Sequence, residues 1–576
     1  MSSCDILPCP FSDHSAVVFI SSIPNAIPRG PGRWHLNISI LDDPDFILLI
    51  SDFWIRGQGR KLSFPSISVW WDLGKCKVKG LSINYCKEKS PERHSSRSLL
   101  TNLASHLKLC IDSGVVSCIE VYQNVLPQIS SLDSMAAKGS QVRSRIRWAE
   151  EGEISSSFFF RLEKKHGSES WISAIRNSDD VVVSKIDEIC SVWRSFYLGL
   201  FSAEETDAVT ATGLLDNLDS FLTPEQAASC DGPLSVAEVL TALNGMSRNK
   251  TPGSDGLPVE FFIKFWHVIG SDLTEVFNYA YDSESLSKSQ KLGLITLLFK
   301  KGDRLNCKNW RPITLLNVDY KLCARTIAGR LLKVLQFVVA PDQTCGVPGR
   351  FIGENVAFLR DVVSYVSEVD LSVAILSLDQ EKAFDRVDWS FLLSTLSKMG
   401  FGASFRKWIK LFYTDIRSSI IVNGYTTKPF CPSRGVRQGC PLSPLLYILT
   451  MEVLAVCVRK NPAIIGLSIP GVPDLPVLSL YADDTSVAVS TDAAITAVFE
   501  TYHLFERASG AKINLDKCEG LWLGSWRFRL GAPVPIRWNS DKIKVLGVFI
   551  GPGDLEEANW RPRIDAVSNC LSSWRT

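Results

Sequence analysis

Residues 476–490, PVLSLYADDTSVAVS, hold two short apolar runs, VLSLY and TSVAV, on either side of Ala482, Asp483 and Asp484. This pattern predicts a β-hairpin with two adjacent carboxylates at its tight turn. Successive strand residues point to opposite faces, so only near a turn can neighbouring acids approach one site. Alone, such acids are ordinary turn residues facing water. Their meaning changes with VAILSLD (373–379), roughly a hundred residues earlier, which has the pattern of a buried strand ending in a carboxylate. A charge at the end of a buried strand is costly unless something pairs with it. If the two segments are neighbouring strands, Asp379 converges on Asp483. Clustered carboxylates raise one another's pKa, and a divalent cation relieves that repulsion. An all-oxygen ligand set favours Mg²⁺ over zinc or copper. Two such ions can activate an attacking hydroxyl and stabilise a leaving phosphate.

The rest of the composition narrows the class. The net charge of +1 over 576 residues excludes a polybasic nucleic-acid binder, so binding of that kind needs local patches. The 16 cysteines include no C-x-x-C pair and the 7 histidines are scattered, which argues against a zinc site. The opening MSSCDILPCPFSD lacks the basic and apolar regions of a signal peptide, and the longest apolar runs are too short to span a bilayer. The cysteines therefore read as reduced thiols, and the expected location is cytoplasmic and nuclear. From Lys300 to Lys333 there are nine bases and only two acids, Asp303 and Asp319. Lys321, Arg325 and Lys333 fall on one helical stripe, as expected of a phosphate-contacting face. In GVRQGCPLSPLLYIL (435–449), Ser443 is expected to cap a helix with Pro444 at its first position. The glycines before it would let backbone approach a ligand closely.

YADD and its partner strand acid resemble the signature of reverse transcriptases. LDQEKAFDRVDW (378–389) and GVRQGCPLSPLLYIL resemble the first two palm motifs of the branch containing non-LTR (LINE-type) retrotransposons and group II introns. NKTPGSDGLPVEFFIKFW (249–266) and the basic segment 297–331 resemble its fingers, and GVPGRFIGENV (346–356) follows in the same order. ERASGAKINLDKCEG (506–520) and KVLGVFIG (544–551) resemble the two motifs after the catalytic hairpin. QVRSRIRWAEEGEISSSFFFRLEKK (141–165) resembles the linker ahead of the polymerase in LINE-type proteins. PFSDHSAVVF (10–19) looks like the last catalytic motif of the apurinic-type endonuclease that precedes it, with Asp13 and His14 as its final acid–base pair.

The resemblance implies an RNA-directed DNA polymerase that extends a DNA primer, supplied by target DNA, on an RNA template. It implies dNTPs as substrates and two Mg²⁺ ions, with Mn²⁺ as a substitute, on Asp379, Asp483 and Asp484. By the same resemblance Phe384 is the steric gate beneath the sugar, and a bulky ring suits exclusion of a 2′-hydroxyl. Gln438 and Gly439 would contact the incoming nucleotide or template base. Arg311 would clamp the triphosphate together with Lys300 or Lys301. Lys517 would protonate the leaving pyrophosphate. Asp385 is expected to be structural, paired with Arg386 or another nearby base.

The expected fold is α+β, a right-hand polymerase. Residues 1–55 would be the C-terminal remnant of an endonuclease sheet, with β-like runs at 16–20 and 34–41. Residues 56–225 would be a mainly helical linker, 226–520 the fingers and palm, and 521–576 the primer-grip region and start of a thumb. The missing upstream nuclease ligands lead to the expectation that the chain does not nick DNA. Two alternatives stay open at this point: a catalytically inactive remnant of a decayed element, and an intron-encoded reverse transcriptase acting as a maturase.

Overall fold

A computed structural model describes residues 3–7, 16–20, 29–144, 171–467, 477–529 and 531–572. The predicted hairpin is present. Val477–Tyr481 pairs antiparallel with Asp484–Val489, and Tyr481 lies opposite Asp484. The turn is therefore Ala482–Asp483, with Asp484 already the first residue of the second strand. That second strand also pairs with Val373–Leu378, Thr485 opposite Leu378, so Asp379 and Asp484 emerge at the same end of the sheet. Val373–Leu378 is flanked on its other side by Glu519–Leu523, which in turn carries Arg537–Asn539 in parallel, completing five strands. Five of the six residues of VAILSL are buried, as expected of a strand with a neighbour on each side.

A second, four-stranded sheet runs in the order Trp310–Leu315, Leu292–Phe299, Arg417–Val422, Tyr425–Thr426. The helix Ile186–Leu200 packs its Ile189, Trp193 and Tyr197 on this sheet and forms a separate apolar cluster with Ile295, Trp310 and Ile420. The helix Ser443–Lys460 runs through the main core, with Ser443 and every residue from Leu445 to Val458 buried and Pro444 exposed. A helix apolar around its whole circumference belongs in the interior of a large core. Ser443 is not its cap: Leu442 holds that position, without a side-chain hydrogen bond, and Ser443 and Pro444 open the first turn. The prediction of Pro near the helix start holds, but the capping role does not, because the Ser443 side chain is buried.

The N-terminal helices join the main core. Pro44–Gln58 and the 46-residue helix Ile67–Asp112 place Phe46, Ile50, Trp54, Trp71 and Val78 in one cluster with Phe265, Leu331 and Leu376. One buried ammonium fastens this contact. Lys75 donates to Asp319 at 2.6 Å, Asp255 at 3.0 Å and Ser289 at 2.6 Å, while the Trp71 indole donates to Asp319 at 2.8 Å. The distal half of the long helix pairs with Cys118–Ser144 around a small cluster of Ala104, Leu107, Val125 and Ile129.

Residues 34–41 are not a strand. The Asn37 side chain caps a 3₁₀ turn at Ile38–Ile40, and Leu36, Ile40 and Leu41 point into the main core. The preceding segment is strapped to the four-stranded sheet. Gly30 N–H donates to Asn423 O at 2.9 Å, Gly32 N–H to Gly424 O at 3.3 Å, and Leu36 N–H to Gly256 O at 3.0 Å. Further toward the N-terminus, Ser3–Leu7 and Ala16–Ile20 form an antiparallel pair. Asp13 and His14, read as an endonuclease acid–base pair, lie outside the described residues, as does most of the 141–165 linker motif. At the other end, the helix Glu556–Ser572 exposes Trp560, Ile564, Val567 and Leu571 at helical spacing.

Candidate active site

Three acids and three bases meet at the end of the five-stranded sheet. Asp379 caps the central strand, and the hairpin turn brings Asp483 and Asp484 beside it. Burial, opposed by Arg311 and Lys300 and reinforced by Asp379, raises the Asp483 carboxyl above its ordinary value. Desolvation, then the charges of Asp483 and Asp379, lifts Asp484 to about 6. The Lys517 ammonium lies 3.2 Å from Asp379 Oδ2, partly neutralising the cluster. Lys300 is held below the usual lysine value by desolvation, then by Arg311 and Lys517. Asp483 and Asp484 both feel the charge of Lys300. Of the two candidates, Lys300 is thus the one whose charge acts on both acids.

The donor set suits a hard divalent cation, since all three side chains offer oxygen and their mutual repulsion calls for positive charge. Lys517 already supplies a cation at Asp379. Among the described residues no three His, Cys, Asp or Glu side chains close into a ready metal cage.

Phe384 packs beside the helix Ser443–Lys460. Its ring stacks on Tyr447 with centroids 4.7 Å apart and planes 14° from parallel. The Tyr447 hydroxyl donates to Gln380 Oε1 at 3.1 Å. Burial, then Asp483, Asp484 and Asp379, keeps that phenol protonated. Arg311 lies on the edge strand Trp310–Leu315, opposite Leu298, and its charge reaches Asp483 and Asp385.

Gln438 and Gly439 meet the fold rather than open space. Gln438 O accepts from Thr314 N–H at 2.8 Å. Gly439 has φ +109°, and a Cβ there would lie 2.6 Å from Thr314 O. The close approach predicted for these glycines is made to a strand of the other sheet. The Gln438 amide donates to Asp385 Oδ1 at 2.9 Å. Asp385 is buried and raised to about 6 by that burial. Its hydrogen-bond partner is thus Gln438, and the charge that most opposes its burial is that of the nearby base Lys382, while the Arg386 guanidinium turns to Glu204 and Glu381. Two of the bases between Lys300 and Lys333 also serve the fold. Arg330 is buried against Glu238, and Arg304 lies over the rings of Phe299 and Trp310.

Residues 299–550 match the reverse transcriptase (RNA-dependent DNA polymerase) family. The chain carries a reverse transcriptase domain. It is 35% identical over 571 residues to the transposon TX1 uncharacterized 149 kDa protein of Xenopus laevis, covering 98% of this chain and 43% of that protein. It is 29% identical over 287 residues to the retrovirus-related Pol polyprotein from type-1 retrotransposable element R2 of Popillia japonica, covering 50% and 39% respectively. The RNA-directed DNA polymerase from mobile element jockey of Drosophila funebris is 24% identical over 315 residues, 52% of this chain and 33% of that one. These homologues are non-LTR retrotransposon proteins, and the chain spans less than half the length of each.

Sequence reasoning missed four residues around the reverse transcriptase site. Tyr447 backs Phe384, and Gln380 receives Tyr447. Lys382 donates to Lys308 O at 3.1 Å and Trp310 O at 3.3 Å, tying the two sheets together. Gln343 touches the Ala482–Asp483 turn. Gln380, Lys382 and Tyr447 stand inside the quoted motifs 378–389 and 435–449, but their partners, like those of Gln343 outside both motifs, depend on tertiary contacts.

Proposed function

We propose that this chain extends a DNA primer on an RNA template with dNTPs, as the polymerase of a LINE-type retrotransposon. The five-stranded sheet acts as the palm, the four-stranded sheet and its basic strands as the fingers, and the segment after Glu519–Leu523 as primer grip and start of the thumb. The observation that carries this reading is the convergence of Asp379, Asp483 and Asp484 at one sheet end, facing Lys300, Arg311 and Lys517. Asp379, Asp483 and Asp484 would hold two Mg²⁺, or Mn²⁺, ions, which when bound activate the primer 3′-hydroxyl and neutralise the phosphate undergoing transfer. Lys300 and Arg311 draw the triphosphate against the fingers strands by charge. Phe384, braced by Tyr447, excludes a ribose 2′-hydroxyl. Gln438, oriented by Asp385, borders the base. Lys517 can give a proton to the departing pyrophosphate.

Primer extension on an RNA template with purified protein tests this. Asp379→Asn and Asp483→Asn are expected to abolish extension while RNA binding stays near the parental level. Asp484→Asn is expected to be milder, because Asp484 belongs to the strand and not the turn. Extension by Asp379→Asn at the parental rate would overturn the assignment.

A further inference from the structure

The catalytic turn is built on an unfavourable backbone. Ala482 has φ +57°, in the left-handed region that residues with a Cβ avoid. A left-handed alanine at a two-residue turn persists only where its surroundings hold it. The hairpin strand that leads into it, Val477–Tyr481, is the edge of the five-stranded sheet, so regular pairing holds it on one side alone.

Its open side is closed by residues 342–345. Leu480 N–H donates to Asp342 O at 2.9 Å, and Thr344 N–H donates to Leu480 O at 3.1 Å. Between them the Gln343 side chain, 1% exposed, reaches past the strand end to the turn. Its Oε1 accepts from Ala482 N–H at 3.1 Å and from Cys345 N–H at 3.0 Å. This carboxamide is the side chain that receives the amide of the left-handed residue directly before Asp483.

The clamp is itself anchored. The Arg350 guanidinium donates to Gln343 O at 2.8 Å, to Val339 O at 3.1 Å and to Ala340 O. Asn355 donates to Ser479 Oγ at 2.9 Å and to Leu480 O at 3.0 Å. Asp342 accepts from Arg459 at 2.6 Å, and Arg459 also pairs with Glu452, both on the buried helix Ser443–Lys460. A rigid line thus runs from that helix through residues 342–343 to Ala482.

We infer that Gln343 is a positioning residue of the polymerase, which sets the carboxylate of Asp483 by holding Ala482 in its left-handed conformation. It acts through the turn and touches neither substrate nor metal. The inference rests on the polymerase reading for its effect on rate, but not for its effect on the turn.

Two measurements on the full chain test it. The first is hydrogen–deuterium exchange of the peptide spanning residues 480–486, which reads the Ala482 amide whether or not the protein polymerises. Gln343→Met, similar in volume but without an acceptor, is expected to speed exchange there. Gln343→Glu keeps an oxygen in the place of Oε1 and is expected to stay protected. The second is primer extension across a Mg²⁺ titration. Gln343→Met is expected to lower kcat by about 10²-fold, the scale of a 1 Å misplacement. It should raise the Mg²⁺ requirement while dNTP KM changes little. Gln343→Glu should recover most of the rate. Ala482→Gly, at ease with positive φ, should make Gln343→Met less damaging than it is in the parental background. Gln343→Asn, which withdraws the amide by one methylene, gives the same readings if Gln343→Met does not fold. Unchanged exchange and rate in Gln343→Met overturn the inference. So does a Gln343→Glu variant as impaired as Gln343→Met, or a Gln343→Met loss that is equal in the parental and Ala482→Gly backgrounds.

Discussion

Phe384 and Asp385 are neighbours in sequence with opposite environments, and each carries a measurable consequence. Phe384 presents one face to Tyr447 and is only half-buried. Replacing its ring by a smaller side chain, Phe384→Val, is expected to shift discrimination between dNTP and rNTP by about 1–3 kcal/mol. The ratio of kcat/KM for the two substrates checks this, and an unchanged ratio would leave Phe384 as a packing residue for Tyr447. Asp385 points the other way, into the interior. Burial raises its carboxyl to about 6 from the ordinary 3.8. Between those values the folded protein keeps a proton that the unfolded chain has released. Stability from this group is therefore full below pH ~4 and is lost as pH rises through ~6, by roughly 3 kcal/mol in all. Asp385→Asn still accepts from Gln438 and removes the titration. Thermal melting should show the variant nearly equal to the parent near pH 4 and more stable near pH 7. A constant difference across that range would contradict the assignment. The family resemblance marks Phe384, and Asp385 reads as structural. The sequence could not show Tyr447 or Gln438 as their partners, because those contacts span 63 and 53 residues of chain.

Among the elements, the hairpin and the central strand were legible because their apolar runs end in acids where a buried strand must stop. The helix Ser443–Lys460 was legible from its Pro and its length, but not its cap, since capping depends on whether the serine faces the turn or the core. Residues 34–41 misled for a similar reason: apolar residues at Leu36, Ile40 and Leu41 fit a core-facing 3₁₀ turn as well as a strand. The helix Ile67–Asp112 contributes most through Lys75. Burial opposes its charge, but Asp319, Asp255 and Asp72 more than compensate, so it stays protonated. Lys75→Met would leave Asp255 and Asp319 buried together without their cation. Breaking a buried pair in this way costs about 3–5 kcal/mol. The expected outcome is a marked fall in melting temperature, and one relieved in part by adding Asp255→Asn. A Lys75→Met protein that melts with the parent would show that the network contributes nothing net.

For the whole molecule, the core does not respect the boundary between a helical linker and a polymerase. Phe46, Trp54, Trp70 and Trp71 lie in the same apolar cluster as Leu376 and Leu378 of the central strand. A chain beginning at residue 113 would expose the surface those rings cover, and each buried aromatic is worth several kcal/mol when truncated. Such a chain is expected to be insoluble or to lack a cooperative melt, whereas one beginning at residue 29 keeps the cluster intact. Expression and scanning calorimetry of the two distinguish this from an independent polymerase unit. Motif order alone could not reveal the shared core, because motifs report the chemistry of a site and say little about which distant helices cover the back of its sheet.

The strap at Gly30 sets a length. Only ten residue steps separate Ile20, the last of the N-terminal hairpin, from Gly30, whose amide is bonded to Asn423. Even fully extended, that stretch reaches about 36 Å. The end of the hairpin therefore lies within that distance of the strap, a radius close to one turn of a double helix, about 34–36 Å.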